Sequence, residues 1–387
     1  MSESTMLVLI GGRSAVPAIA GALQFIEEVN RVKFLLCEGE QYPNFQRSIE
    51  TVLKQEQKDL LCDETDVKSV EPSRFDDVYK AVSELCHDVK NLKYVNLTGV
   101  PQTMAFSVYS YVREKYKDVM IFSVNTHQSE IIPLIFGEKP RSFNKRLSVE
   151  NYIAMCGLSI FKKKSGCTNS FLEGIAKYCA EYYDTVSKAF SVIRRKAKNA
   201  DNIAVPKGFN FQEQEFTREG ILQSQLQEIF KNLEQSLIIH NYQNYNNEIY
   251  FQIRERENYA FIAGDWLELF VYYSAKQCSF DSVEMGVELD NYRGEIDVFS
   301  LNSANAMICE CKTGNYSSND LSVLGAKAQK LGGNYCVKLF ITSQITVSEE
   351  FKNQAKNNRV MVISGNELSR LPDILSKEMQ NPTYSRS

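Results

Sequence analysis

Four short runs in the first 125 residues are apolar on both faces: Met6–Ile10, Val32–Cys37, Leu92–Leu97 and Val119–Val124. A weaker strand signal lies at Val67–Val70. Between them run stretches with helical spacing, at Ala15–Val29, Phe45–Leu61, Phe75–Val89 and Thr103–Tyr116. A strand that is apolar on both faces must be covered on both. A helix between successive strands makes them parallel. The first ~140 residues therefore predict a parallel sheet clothed by helices, whose ligands sit beyond the carboxyl ends of the strands. Two such ends place glycine and hydroxyl residues just ahead of a helix: Gly11-Gly12-Arg13-Ser14, and Thr98-Gly99-Val100-Pro101-Gln102-Thr103-Met104. Backbone N–H groups at a helix start, with hydroxyls beside them, suit phosphate. The plainer reading is a tight turn that needs glycine for geometry alone. Gly11-Gly12-Arg13-Ser14-Ala15-Val16 is not the GxGxxG of a dinucleotide site.

The pattern changes twice more. Across 141–245 strand signals fade, and Phe171–Lys198 and Gly220–Ile238 have helical spacing, so a mostly helical connector is expected. Between Arg141 and Lys198 twelve Lys/Arg face four Asp/Glu, a local excess of +8 within a chain of net charge −4. Such a stretch can line a phosphate track or form a solvated helical face. From 246 to 387 the order is strand, helix, three strands, helix, strand, strand and a terminal helix, an α/β domain of its own. At 387 residues, two domains and a connector are expected.

Ten cysteines without a CxxC pair read as buried thiols in a reducing compartment, and three histidines make a His-rich metal site an unsuitable guess. The start, MSESTMLVLIGG, has acids or hydroxyls where a signal peptide carries Lys or Arg. No run approaches the ~18 apolar residues of a membrane span. A cytoplasmic protein with no membrane contact is expected. Its chemistry must rest on carboxylates, lysine, hydroxyls or cysteine.

The densest chemical signal is GEIDVFSLNSANAMICECKTG, residues 294–314. Asp297 lies in one strand; Glu310 and Lys312 close the next. Side chains alternate along a strand, so Glu310 and Lys312 share one face, with Cys309 and Cys311 on the other. Asp297 on the neighbouring antiparallel strand can face the same side. Two hard oxygen donors suit Mg²⁺ or Mn²⁺. An ammonium two residues from one donor can orient a water and stabilise charge on phosphorus. Glu268, in DWLELF on the preceding helix, is a further candidate. Glu295 shares a strand face with Asp297, and Lys327 sits on the helix that follows. ExK on a surface hairpin is common by chance. Here both strands are strongly apolar on the opposite face, and a helix flanks them on each side.

Asp297, twelve residues, then Glu310-x-Lys312 resembles the PD-(D/E)xK nuclease core, with Ile296 in place of its proline. The resemblance covers about 250–365. It implies a restriction-endonuclease-like domain with Asp297, Glu310 and Glu268 as metal ligands and Lys312 as the catalytic lysine. Asn96-x-Thr98-Gly99 and Met104 resemble the N-x-TGG-T-K-x-M signature of the CARF domain, the CRISPR-associated Rossmann-fold sensor of cyclic oligoadenylates. Val100, Pro101 and Gln102 depart from its Gly, Thr and Lys. The order over the whole chain is similar to that of the two-domain CARF nucleases of type III CRISPR systems. The expected division is a CARF domain at 1–140, a helical connector at 141–245 and a nuclease domain at 246–387. The resemblance implies a homodimer that binds a cyclic oligoadenylate, the tetra-adenylate first, at Gly11, Gly12, Arg13, Ser14, Thr98, Gly99, Gln102, Thr103 and Met104. It implies Mg²⁺- or Mn²⁺-dependent cleavage of single-stranded RNA or DNA, with nicking of duplex DNA in some relatives. A restriction or repair nuclease without oligoadenylate control, and a nucleotide-sensing regulator with an inert nuclease core, are the alternatives.

Overall fold

The computed structural model describes residues 3–12, 15–126, 128–164, 170–197, 205–290, 294–331 and 336–384. The N-terminal domain alternates β1 (Thr5–Ile10), α1 (Val16–Gln24), β2 (Arg31–Cys37), α2 (Tyr42–Glu56), β3 (Val67–Val70), α3 (Phe75–Leu85), β4 (Leu92–Asn96), α4 (Gln102–Lys115) and β5 (Met120–Asn125). The strands stand in the order β3-β2-β1-β4-β5 and are all parallel. Two short antiparallel strands, β6 (Glu130–Pro133) and β7 (Arg141–Ser142), extend the β5 edge. The sheet is covered on both faces, as its doubly apolar strands require. Leu7 and Leu9 of β1 pack with α3 and α4, while Met6, Val8 and Ile10 pack with α1 and α2. The strand order reverses between β1 and β4, so the crevice of this sheet opens where the Gly11 and Thr98 loops begin.

The middle segment is not simply helical. After α5 (Val149–Met155), β8 (Ile160–Lys164) pairs antiparallel with the C-terminal sheet as its edge strand. Lysine-rich edges are common because solvent takes the side chains and lysine deters further pairing; that composition hid the strand in IFKKK. Past α6 (Ser170–Glu181) and α7 (Tyr183–Ala197), β9 (Lys207–Gln212) starts a small sheet. Helices α8 (Glu213–Thr217) and α9 (Gln223–Gln235) follow, then β10 (His240–Tyr245) and β11 (Glu248–Ile253), in sheet order β10-β11-β9. The polar, turn-like stretch Asn241–Asn247 is mostly strand. Its turn proper is Asn246-Asn247, both in the left-handed region (φ 50° and 64°), as a two-residue hairpin turn requires.

The C-terminal domain continues with α10 (Arg256–Ala260), a wide turn over 261–265 and α11 (Trp266–Gln277). Strands β12 (Ser282–Leu289), β13 (Glu295–Asn302) and β14 (Asn305–Lys312) form an antiparallel meander. Helix α12 (Ser318–Lys330) leads to β15 (Cys336–Thr342). Then α13 (Glu349–Asn357), β16 (Met361–Ile363) and α14 (Leu371–Gln380) close the chain. The six-stranded sheet has the order β16-β15-β14-β13-β12-β8. One hydrophobic core runs from the α1/α2 face of the first sheet through α5 to Phe299, Ile308, Leu321 and Phe340 of the second. Asn305 Nδ2 donates to Thr126 O (2.7 Å) and Tyr152 Oη to Leu331 O (2.6 Å) along that seam. Among the described residues no helix is long and apolar enough to cross a membrane.

Candidate functional site

β13 and β14 pair from Asn302–Asn305 as far as Val298–Cys309, then part. Asp297 and Glu310 stand in that fork, both buried. The Cys311 N–H donates to Asp297 Oδ2 (2.6 Å), tying the two strand ends together. Cys309 and Cys311 turn into the core, which leaves Glu310 and Lys312 on the opposite face. Lys312 Nζ lies 2.6 Å from Glu310 Oε1. Lys327, from α12, reaches Glu310 Oε2 at 2.8 Å and also donates to Glu295 O at 2.5 Å. A third ammonium arrives from β8. Lys164 Nζ is 2.9 Å from Glu268 Oε2, 3.0 Å from Glu295 Oε1 and 3.4 Å from Asp265 Oδ2. Gly286, at φ 63°, makes room for it: a Cβ there would meet Lys164 Cγ at 2.5 Å.

The electrostatics are those of a strained cluster. Burial, then the charges of Glu310 and Glu268, push the Asp297 carboxyl up to about 8. Burial pushes Glu268 up to about 7 in spite of Lys164, and it raises Asp265 as well. For Lys312, burial favours the neutral amine, but the hydrogen bond and charge of Glu310 with the charges of Asp297 and Asp320 together outweigh it and hold the ammonium above the ordinary lysine range. Five carboxylates (Asp265, Glu268, Glu295, Asp297, Glu310) face three ammonium groups. With all five acids ionised two negative charges are left over, which one divalent cation balances; without it, Asp297 and Glu268 hold on to their protons. With these side-chain positions, no three His, Cys, Asp or Glu among the described residues cage an ion. Mg²⁺ needs no such cage, because it keeps several waters and binds through one or two carboxylates. Asp297 and Glu310 supply those hard donors, with Glu268 beside them. The residues present fit a Mg²⁺ or Mn²⁺ ion.

At the far end of the chain the crevice loops converge. A Cβ on Gly11 would meet Cys37 Sγ at 2.4 Å and Pro101 Cδ at 3.0 Å, so only glycine lets the β1 and β4 loops come this close. Tyr42 Oη donates to Gly11 O (3.1 Å). Gly99 sits at φ 72° with no other atom within 4 Å of a Cβ position, and it is exposed beside Pro101 and Gln102 at the start of α4. Thr98 is buried: its Oγ1 accepts from Val124 N (2.9 Å) and donates to Asn96 Oδ1. Asn96 Nδ2 donates to Ala18 O (2.6 Å), which fastens α1 to the same loop.

Two family models match. The Card1 CARF domain covers residues 7–152, and the Card1-like endonuclease domain covers residues 255–381. The chain is a two-domain CARF nuclease. That pairing makes it a cyclic oligoadenylate-regulated nuclease of type III CRISPR defence. The two-domain fold recurs in solved structures. One is protein VC1899 from Vibrio cholerae, 16% identical with a TM-score of 0.79, matched over 98% of this chain and 99% of that one. Another is Can2 from Sulfobacillus thermosulfidooxidans, solved in complex with cyclic tetra-adenylate. It is 18% identical with a TM-score of 0.68, over 97% of each chain. No curated protein sequence matches.

Within this CARF nuclease, Glu268, Asp297, Glu310 and Lys312 come together in the endonuclease domain. Gly11, Gly12, Gly99, Gln102 and Thr103 share the crevice rim, none of them buried. Arg13 and Ser14 lie outside the described residues. Met104 is fully buried with its Sδ 3.6 Å from Cys37 Sγ, so it packs the floor under the loop and presents no surface to a ligand. The Thr98 hydroxyl is likewise occupied by the fold. Lys164 and Asp265 went unread in the sequence. Asp265 stood in the DWLELF stretch next to Glu268, and its position one helical turn away was the available signal.

Proposed function

We propose that a cyclic oligoadenylate, the tetra-adenylate first, binds the crevice at Gly11–Gly12 and Gly99–Thr103 and switches on a metal-dependent nuclease at Asp297, Glu310 and Lys312. The convergence of two built sites in one chain carries this reading: a glycine-lined rim at the switch point of a parallel sheet, and a carboxylate cluster short of positive charge. The sensor is assigned to 1–140, the nuclease to 246–387 and the connection to 141–245. Two chains would form a homodimer, because a two-fold ring suits a two-fold interface. Action in the cytoplasm on single-stranded RNA or DNA completes the reading.

Asp297 and Glu310, with Glu268, would hold the Mg²⁺ or Mn²⁺ ion. Bound there, it supplies a Lewis acid for the scissile phosphate and a water of lowered pKa. The chain's own groups do the rest. Lys312, positioned through Glu310 Oε1, orients the attacking water and stabilises the charge that develops on phosphorus. Lys327 fixes the second Glu310 oxygen, so the carboxylate keeps its orientation. The Cys311 N–H does the same for Asp297. Burial of the fork excludes bulk water from the carboxylates. The test is cleavage of labelled single strands with and without tetra- or hexa-adenylate rings, in Mg²⁺, Mn²⁺ or chelator. Cleavage that needs both ring and metal is expected. Equal cleavage without a ring supports the restriction-type alternative, and none under any condition supports an inert core.

A further inference from the structure

A polar cleft of about 550 Å³ opens between α7 and the loops that follow β14 and β15. Ser187, Ser191 and Arg194 line one wall; Thr313, Asn315 and Ser343 line the other. Thr313 is the residue after Lys312, and Ala263, which Arg194 holds, lies two residues before Asp265, so the chain links the cleft to the candidate nuclease site at two points. Arg194 is the group of interest. Its Nη1 donates to Ala263 O (2.8 Å) and lies 3.5 Å from Thr313 Oγ1. The other cations of this helix are paired: Lys188 with Asp184 (2.6 Å), Arg195 with Glu219 (2.6 Å) and Lys196 with Glu215 (3.3 Å). Among the described residues Arg194 has no carboxylate. Burial without a counter-charge pulls its pKa below the ordinary arginine value. The two carboxylates that line the cleft, Asp184 and Glu219, are taken up by Lys188 and Arg195, so the half-buried Arg194 guanidinium faces it without a partner acid, and its fork matches phosphate.

We propose that this cleft is a subsite for one nucleotide of a single-stranded substrate, with Arg194 holding a backbone phosphate beside the one cleaved at Asp297, Glu310 and Lys312. The proposal rests on the nuclease reading above. The volume is in the range of pockets for small ligands. A base enters such a cleft only when it has left its partner strand. Besides Arg194 and the paired charges of Asp184, Lys188 and Glu219, hydroxyls and amides make up most of the lining and no aromatic side chain joins them, so a base here would be held by hydrogen bonds at its edge rather than by stacking.

The test is fluorescence anisotropy of short labelled RNA and DNA single strands on the Glu310→Gln protein, across a series of salt concentrations. In that background, Arg194→Met and Ser191→Glu are each added. The second gives Arg194 a carboxylate one turn away and leaves its Ala263 hydrogen bond intact. Each should weaken binding about tenfold and flatten the log–log salt slope by about 0.7. Arg194→Lys should keep most of the slope. Unchanged affinity and slope in both variants would overturn the proposal. So would weakening in Arg194→Met alone, since Arg194 would then act only by propping Ala263. Binding by the Glu310→Gln protein requires neither cleavage nor a ring. Loss of ring control therefore counts against the proposed function and leaves this subsite standing.

Discussion

At the amino ends of the N-terminal strands, Arg31 and Lys33 face Asp66, Asp88 and Glu3. At the fork of the C-terminal sheet, Lys164, Lys312 and Lys327 face five carboxylates. Both clusters are largely buried, yet Asp66 in the first and Asp297 in the second shift in opposite directions. Burial alone would raise Asp66, but hydrogen bonds from Arg31, the Asp63 backbone and Lys33 outweigh it, and its pKa falls below the ordinary value. For Asp297 burial is reinforced by two other acids and opposed by one backbone N–H, and its pKa rises. Lys33 Nζ bridges Asp66 (2.8 Å) and Asp88 (3.0 Å), and Arg31 Nη2 adds 2.7 Å to Asp66. That cluster holds its strands together and needs nothing from outside. The second has fewer ammonium groups than acids, which is what the proposed metal site requires.

Four changes would break or sharpen that contrast. The largest effect is expected from Glu310→Gln, which keeps an acceptor for Lys327 but removes a carboxylate donor. Ring-stimulated cleavage should fall at least about a hundredfold, read as initial rate, with oligoadenylate affinity unchanged. Next, Lys33→Met strips Asp66 of a buried partner and should cost about 3–5 kcal/mol in thermal or urea unfolding. Third is pH. Because the Asp66 pKa is lowered on folding, its ionised form stabilises the fold above the unfolded value near ~3.9. That contribution is lost as pH falls through the lower folded value. Wild-type stability should therefore drop below about pH 4, and Asp66→Asn should start lower and fall less, as followed by circular dichroism. The smallest effect is expected from Lys164→Met. Removing one ammonium from the C-terminal cluster should increase stabilisation by Mg²⁺ by about 1 kcal/mol. Lys33→Met should show no Mg²⁺ effect on its loss.

Much of this contrast was legible in the sequence, for a physical reason. Doubly apolar strands such as MLVLI have one stable environment, and EIDVF and MICECK declare an apolar face that leaves Asp297 and Glu310 on the other. Lys164 was not legible. It is one of three lysines in IFKKK, with no apolar alternation to show a strand, and its role depends on β8 crossing to β12 some 120 residues later. Phe209 and Phe211 stack on Phe251 (5.4 and 5.8 Å), which makes β9 a strand through contacts distant in sequence. Met104 misled in the other direction. It matched a loop signature, but at helical spacing with Val108, Tyr111 and Val112 it is core. The basic excess over 141–198 was diluted by pairing: Arg195 and Lys196 are matched to acids, and among the described residues of that stretch only Arg194 stands apart.

The most direct measurement compares Asp297→Asn with Asp66→Asn, each assayed for ring-stimulated cleavage and for thermal unfolding in chelator. Asp297→Asn should lose cleavage while its Tm equals or exceeds that of the wild type, since it removes an acid that burial and two neighbouring carboxylates disfavour. Asp66→Asn should lose stability while each folded molecule still cleaves. If Asp297→Asn cleaves like the wild type, or destabilises the fold as much as Asp66→Asn, then the fork of β13 and β14 is a structural ion cluster and the nuclease site lies elsewhere.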